Sequence, residues 1–283
     1  MSYGPKPWLQ TQWDWRAAGN FMCGGAGSGL LAFAALSGAR GTAATLLVLA
    51  GLALVGVGLL CVWLEIGRPM RALHVFFNPR TSWMTREGFV ATLLFPAGLA
   101  AAAGVSGFVW ITALLALAFV YCQGRILKAA RSIPAWREPL VVPLIVATGL
   151  VEGAGLFLLA HPLHGLASQA LMAVFGALLA ARWIAWVAYR RRLAPGTAPR
   201  ALAALDNAGA ALQGYGTWLA FALVAPAGIG LVGGAFAALL AAAAGLLAAA
   251  AGLWLKYTLI TRAAFNQGFA LKELPVRGVR ASP

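Results

Sequence analysis

The chain has 283 residues, of which 61% are hydrophobic and only 10% charged, with a mean hydropathy of +0.83 and a formal net charge of +14. A soluble domain of this length cannot hide so much apolar surface, which excludes a water-soluble enzyme and makes lipid the solvent for most of the chain. The positive charge, placed as described below, reads as a topology signal and a contact with anionic lipid, with no call for nucleic acid as a partner.

In chain order, residues 1–18 read as an interfacial segment, because Trp8, Trp13 and Trp15 suit a membrane–water boundary. This stretch lacks the basic region and short apolar core that a secretory signal needs. Apolar runs of about 20 residues, the length that crosses a bilayer, follow at 19–38, 43–64, 88–103, 108–128, 140–160, 166–189, 206–226 and 232–257. They predict an all-α integral membrane protein, a bundle of about eight transmembrane helices over residues 19–260 with a tail at 261–283. The third run is short and contains Pro96; the seventh opens on Asp206, Asn207 and Gln213, so its first turns are the least regular.

Of the 21 lysines and arginines, 20 fall on the side of the N-terminus and Arg40 alone on the other. The positive-inside rule makes that side cytoplasmic and places both termini inside. The opposite loops, near 104–107, 161–165 and 227–231, are short and nearly uncharged, and no loop could form a soluble domain. Chemistry on a bulky polar substrate is therefore expected to belong to a partner.

Ionisable residues concentrate between the second and third runs. Residues 65–87 read EIGRPMRALHVFFNPRTSWMTRE and hold Glu65, Glu87, Arg68, Arg71, Arg80, Arg86 and His74, one of three histidines in the chain. Gly67 and Pro69 end the incoming helix, and Asn78-Pro79 turns the chain before the next. Taken singly, each charge has a plain structural role: Glu65 paired with Arg68, Glu87 at a helix N-terminus, the arginines as topology signals. Taken together at the edge of an apolar bundle, acids, donors and an imidazole are what proton-coupled chemistry requires. The end of the fourth run adds Tyr121, Gln123, Arg125 and Lys128, and the i, i+4, i+7 spacing of Tyr121, Arg125 and Lys128 puts a phenol and two cations on one helix face. Asn20 lies at similar depth. Deeper in, Arg182 snorkels or pairs with an acid, and Glu152 stands roughly 18 Å into the fifth run, where a carboxyl group is functional or is neutralised by a neighbouring helix.

Cys23, Cys61 and Cys122 form no C-x-x-C pair and read as small buried apolar side chains, so no iron–sulfur cluster is expected within this chain. His161 and His164 sit in the loop LAHPLHG and His74 in the opposite loop, so no span carries a haem ligand, and no metal site is expected.

The run from Gly67-Arg68-Pro69 through Arg71 to Ser82-Trp83-x-x-Arg86-Glu87, with the Tyr121-x-x-x-Arg125 helix end, resembles the haem-free membrane anchors of the DMSO-reductase and polysulfide-reductase type. The general resemblance covers most of the chain. The opening GPKPWLQTQWDWRAAGNFMCGGAGSGLL is similar to the membrane subunit of phenylacetyl-CoA:acceptor oxidoreductases. What the resemblance implies is an eight- or nine-span bundle exchanging electrons between a membrane quinone (ubiquinone or menaquinone) and a four-cluster iron–sulfur subunit. That subunit serves a molybdenum or tungsten catalytic subunit of anaerobic metabolism. On this reading Glu65 and Glu87 pass protons, while Asn20, Arg71, His74, Tyr121 and Arg125 bind the quinone. Arg68, Arg80, Trp83 and Arg86 face the partner. Such anchors carry His-Leu-Gly where this chain has Glu65-Ile66-Gly67, so a carboxylic acid stands in place of a histidine proton donor. With residues 65–87 inside, both partners dock on the cytoplasmic face of a bacterial or archaeal cytoplasmic membrane, which suits a substrate confined there, such as a CoA thioester. The rival expectation is a secondary transporter or channel for an anionic solute, whose marks are broken helices and a polar site at mid-membrane.

Overall fold

Helices that must satisfy every backbone group inside a bilayer leave little room for other structure. The computed structural model describes residues 4, 6–66, 69–193 and 196–268, with the backbone path alone over 69–72. The helices are α1 (Trp15–Leu36), α2 (Gly41–Glu65), α3 (Trp83–Ala102), α4 (Phe108–Ala129), α5 (Pro134–Arg137), α6 (Val141–Leu159), α7 (His161–His164), α8 (Gln169–Leu193), α9 (Pro199–Gln213), α10 (Ala220–Gly228) and α11 (Gly234–Thr261). A 3₁₀ segment (Pro69–Phe77) precedes α3, and a π-helical turn (Gly214–Leu219) joins α9 to α10. Among the described residues the only extended pairing is an isolated bridge between Leu9 and Phe265.

Among the described residues seven helical stretches are long and apolar enough to cross a membrane: α1, α2, α4, α6, α8, the run Pro199–Gly228 and α11. The chain is thus an all-α, multi-pass membrane protein. The 20-residue α3 falls outside that set; it begins at Trp83 instead of residue 88 and so takes Arg86 and Glu87 into its first turns. Ser82 moves the boundary, because its side chain caps the helix by accepting from the Thr85 N–H at 3.2 Å. The seventh run also starts early, at Pro199, whose fixed φ and missing N–H suit a first helical position.

Inter-helix hydrogen bonds define the two ends of the bundle. At the end carrying the N-terminal segment, called the near end, Arg16 Nη1 reaches Leu64 O at 2.9 Å, Trp136 Nε1 reaches Leu259 O at 2.9 Å, and Tyr189 OH reaches Ala135 O at 2.7 Å. At the far end Thr45 Oγ1, early in α2, donates to Ala102 O at the close of α3 at 2.8 Å. The far-end histidines hold loop backbone: Leu166 N donates to His164 Nδ1 at 3.0 Å and Ala167 N to His161 Nδ1 at 3.3 Å. Asp14 starts α1 by accepting from Arg16 N at 2.8 Å, and its hydrogen bonds from Arg16 hold its carboxyl below the usual carboxylate range.

The first spanning helix is also the most central. α1 packs against α2, α4, α6 and α11, and with α6 it is the most enclosed of the spans. Small residues make this possible: a Cβ on Gly153 of α6 would collide with the backbone of Gly29 and Leu30 in α1, so the two helices cross at backbone contact. Leucines such as Leu46, Leu60, Leu93, Leu114 and Leu239 point outward, as lipid-facing positions should.

Candidate functional site

Three helices bring buried polar side chains together near the near end. Asn20 comes from α1, Glu87 from the second turn of α3 and Gln123 from α4; they are 3%, 5% and 0% exposed. Gln123 Nε2 donates to the backbone carbonyl of Asn20 at 2.8 Å, and the Glu87 carboxyl faces the side-chain amides of both Asn20 and Gln123. A glycine admits the amide: a side chain at Gly24 would strike Gln123 Nε2. Even so, Asn20 Oδ1, Glu87 Oε1 and Gln123 Oε1 have no hydrogen-bond partner. Of these, Asn20 and Glu87 line a common cavity, whereas Gln123 Oε1 lies toward Gly25 of α1.

Asn20 and Glu87 line a cavity of about 200 Å³, together with Glu65 at the end of α2, Trp13 and Ile66. A second, larger cavity of about 490 Å³ runs between α2, the 3₁₀ segment and α3 and is lined almost wholly by apolar groups, among them Leu60, Trp63, Phe76 and Phe95. Val62, Ile66, Met84 and Glu87 line both cavities. Leu60 and Trp63 are half exposed on the outer surface, so the apolar groove opens toward lipid. The Thr85 hydroxyl donates to Val75 O, which ties the 3₁₀ segment to α3 beside this groove.

The other expected site residues are distributed differently. Trp83 is the centre of a stack, with the guanidiniums of Arg86 and Arg125 each 4.1 Å from its ring centroid and Tyr121 edge-on at 5.9 Å. Arg125 Nη1 donates to Tyr121 OH at 2.7 Å, so these two belong to the stack and not to the lining of the Glu65–Glu87 cavity. Arg86 also donates to Pro79 O and Arg80 O, at 2.9 and 2.8 Å, and so closes the loop onto α3. His74 is exposed, packs edge-on against Phe77 at 5.3 Å, and lines neither cavity. Arg80 is exposed. Arg68 and the side chain of Arg71 lie outside the described residues.

A second polar group lies deeper, between α6, α8 and α11. Lys256 and Glu152 are both fully buried and paired at 2.6 Å, and Lys256 Nζ also donates to Phe21 O at 2.9 Å. Arg182 does not snorkel. It is fully buried and donates to Ala248 O at 2.8 Å and to Gly216 O, in the π-helical turn, at 2.6 Å. A π turn disturbs the regular helix ladder and frees carbonyls for outside donors, and Arg182 takes one of them. Glu152 is thus neutralised by a neighbouring helix, through a cation that had looked like a loop charge. Lys256 was hidden because it closes an apolar run that continues as helix to Thr261; the pattern Trp254-Leu255-Lys256-Tyr257 inside an apolar stretch was the available clue.

Compared with the known protein families and with curated proteins, the chain matches none.

Proposed function

We propose that the chain is the quinone-reactive membrane anchor of a multi-subunit molybdenum or tungsten oxidoreductase, passing electrons between a partner iron–sulfur subunit and membrane quinone. One observation supports this best: a small cavity that holds Asn20, Glu65 and Glu87 shares Val62, Ile66, Met84 and Glu87 with a larger, almost wholly apolar groove, whose Leu60 and Trp63 are exposed on the outer surface. A quinone has the same two parts, a polar headgroup and an isoprenoid tail. The residues present suit the headgroup. A carboxyl such as Glu87 donates a hydrogen bond when protonated and accepts one when ionised, so it serves a quinone oxygen and a quinol hydroxyl alike. The unpartnered Asn20 Oδ1, which lines the same cavity, would accept from the hydroxyl form, and Gln123 holds the Asn20 backbone in place behind it.

When bound, the quinone supplies two-electron, two-proton redox chemistry. Glu87, which lines the cavity, would hold the headgroup and carry a proton on its carboxyl. Glu65, half-buried at the end of α2 and lining the same cavity, relays that proton to water at the near end. Arg80 and Arg86 belong to the docking surface for the cluster-bearing partner; the Trp83–Arg125–Tyr121 stack borders that surface, and its Trp83 and Arg125 also line the basic bowl described below.

This reading makes the near end cytoplasmic, with α3 an eighth span and the domain division at 18/19 and 260/261. It is supported by the charge split along the sequence: with the buried Arg182 and Lys256 set aside, 18 of the 21 basic residues fall on that side and Arg40 alone on the other. Reporters active only in the cytoplasm are expected to work when fused after Pro283 or inserted near Thr197. Activity of a periplasm-only reporter at both positions would reverse the orientation.

Purification from its native membrane under mild detergent is the direct test of the anchor. The chain is expected to bring down an iron–sulfur protein and a molybdenum or tungsten protein, and the complex to reduce or oxidise added quinone. A chain that purifies alone and carries solute across vesicles belongs to the second reading, a secondary transporter for an anionic solute. What favours that reading is the pair of fully buried cations, Arg182 and Lys256, near one carboxyl, Glu152, beside a helix interrupted at Gly214–Leu219.

A further inference from the structure

The near end carries a third cavity, a bowl of about 720 Å³ between the ends of α4 and α8, the short α5 and the start of α6. It shares no lining residue with the polar cavity or the apolar groove. Five cationic side chains line it: Arg125, Lys128, Arg131, Arg137 and Arg192. One carboxylate, Glu138, opposes them; its contact with Arg192 is 3.9 Å, too long for a hydrogen bond, and its Oε1 has no partner.

Topology explains why cations lie on this side but not why five of them converge on one concavity. The positive-inside rule counts charges in loops and is indifferent to their arrangement. Gathering like charges around a hollow with low-dielectric walls costs repulsion and focuses the field into the hollow. Two hydrogen-bond groups are also left waiting at its wall. Thr197 is 3% exposed and its hydroxyl has no partner, and Arg125 Nε is likewise buried and unpartnered. Arg137 Nη1 donates to Arg131 O at 3.3 Å, which holds these two segments in register.

We propose that the bowl is a binding site for a paired-phosphate group. Guanidinium forks and an ammonium match phosphate oxygens in charge and geometry. The excess of five cations over one carboxylate is more than a single phosphate neutralises, and the volume falls in the range of small-ligand sites. Two sources carry this chemistry: a lipid headgroup with two phosphodiesters, such as that of cardiolipin, which basic pockets between membrane helices recognise, and a soluble diphosphate.

The test uses the full chain in detergent and in vesicles, with two probes. Inorganic pyrophosphate is titrated by calorimetry, and retained lipid is analysed after exposure to phosphatidylcholine vesicles with and without cardiolipin. Lys128→Gln/Arg131→Gln/Arg137→Gln is expected to weaken the bound probe by more than about tenfold, because charge-assisted hydrogen bonds are lost. Thr197→Val, which alters no charge, is expected to weaken it about fivefold, one neutral hydrogen bond. Pyrophosphate binding that falls in both variants identifies a soluble ligand; cardiolipin retention that falls in both identifies the lipid. Equal binding by the native chain and the triple variant overturns the site, as does an equal loss on neutralising Arg40, Arg191 and Arg200, which lie outside the bowl. If the triple variant does not fold, Thr197→Val decides alone, and unchanged affinity for both probes overturns the proposal.

Discussion

Lys256→Met is expected to destabilise the bundle by about 3–5 kcal/mol, the cost of leaving a buried carboxylate without its partner. Glu152 would keep its place in the centre of α6 with no counter-charge, and the Phe21 carbonyl would lose its donor. The measurement is the thermal midpoint of the purified chain in a fixed detergent, together with its yield in the membrane. Adding Glu152→Met to the same chain is expected to recover most of the loss, since apolar side chains of similar volume replace buried ion pairs at little or no cost. The double-mutant cycle then isolates the coupling between the two residues. A single variant as stable as the native chain would show that Glu152 is neutral without Lys256 and that the pair contributes nothing to folding.

In the assembled complex, Glu87→Gln is expected to slow quinone turnover by about 10²–10⁴-fold, the usual worth of a positioned general acid or base. The amide keeps the shape and hydrogen bonds of the carboxyl but cannot carry a proton, so turnover should fall more than quinone binding does. On the proposed function, electron transfer from the partner to an artificial dye should continue, because that route would bypass Glu87. Glu65→Gln is expected to slow turnover less, as that side chain is half-buried and water can substitute for it. Normal quinone reduction with Gln at position 87 would move the headgroup elsewhere and leave the buried carboxyl a packing feature.

Hydropathy carries most of the fold of such a chain and little of its site. The spanning runs were legible because lipid demands length and apolarity, and both can be counted along a sequence. Helix starts were less so. Ser82 and Pro199 set the beginnings of α3 and α9 through capping and proline geometry, several residues ahead of the apolar runs. Shared depth placed Asn20, Glu87 and Gln123 at one end of the bundle, but which of their side chains meet inside it could not be read. The helices that carry them are apolar nearly all round, so periodicity does not say which faces meet. Lys256 shows the same limit more sharply: as a near-side basic residue it fitted the topology rule, yet its side chain turns inward to a carboxylate 104 positions earlier in the chain. Arg182 behaved unlike a snorkelling arginine because a π-helical turn, invisible to hydropathy, offered it the Gly216 carbonyl.

The Lys256–Glu152 pair also bears on the order in which the molecule is made. A chain is synthesised from its N-terminus, so α1 and α6 enter the bilayer well before α11. Through that interval Glu152 has its carboxyl group but no ammonium, and the central helix α1 lacks one of its walls. Only the last helix closes the account of charge. A polypeptide released before Gly234 therefore keeps an uncompensated acid in the middle of the membrane. Such a chain would combine an unpaired buried acid with an open wall on α1, two defects that the arrival of one helix repairs together.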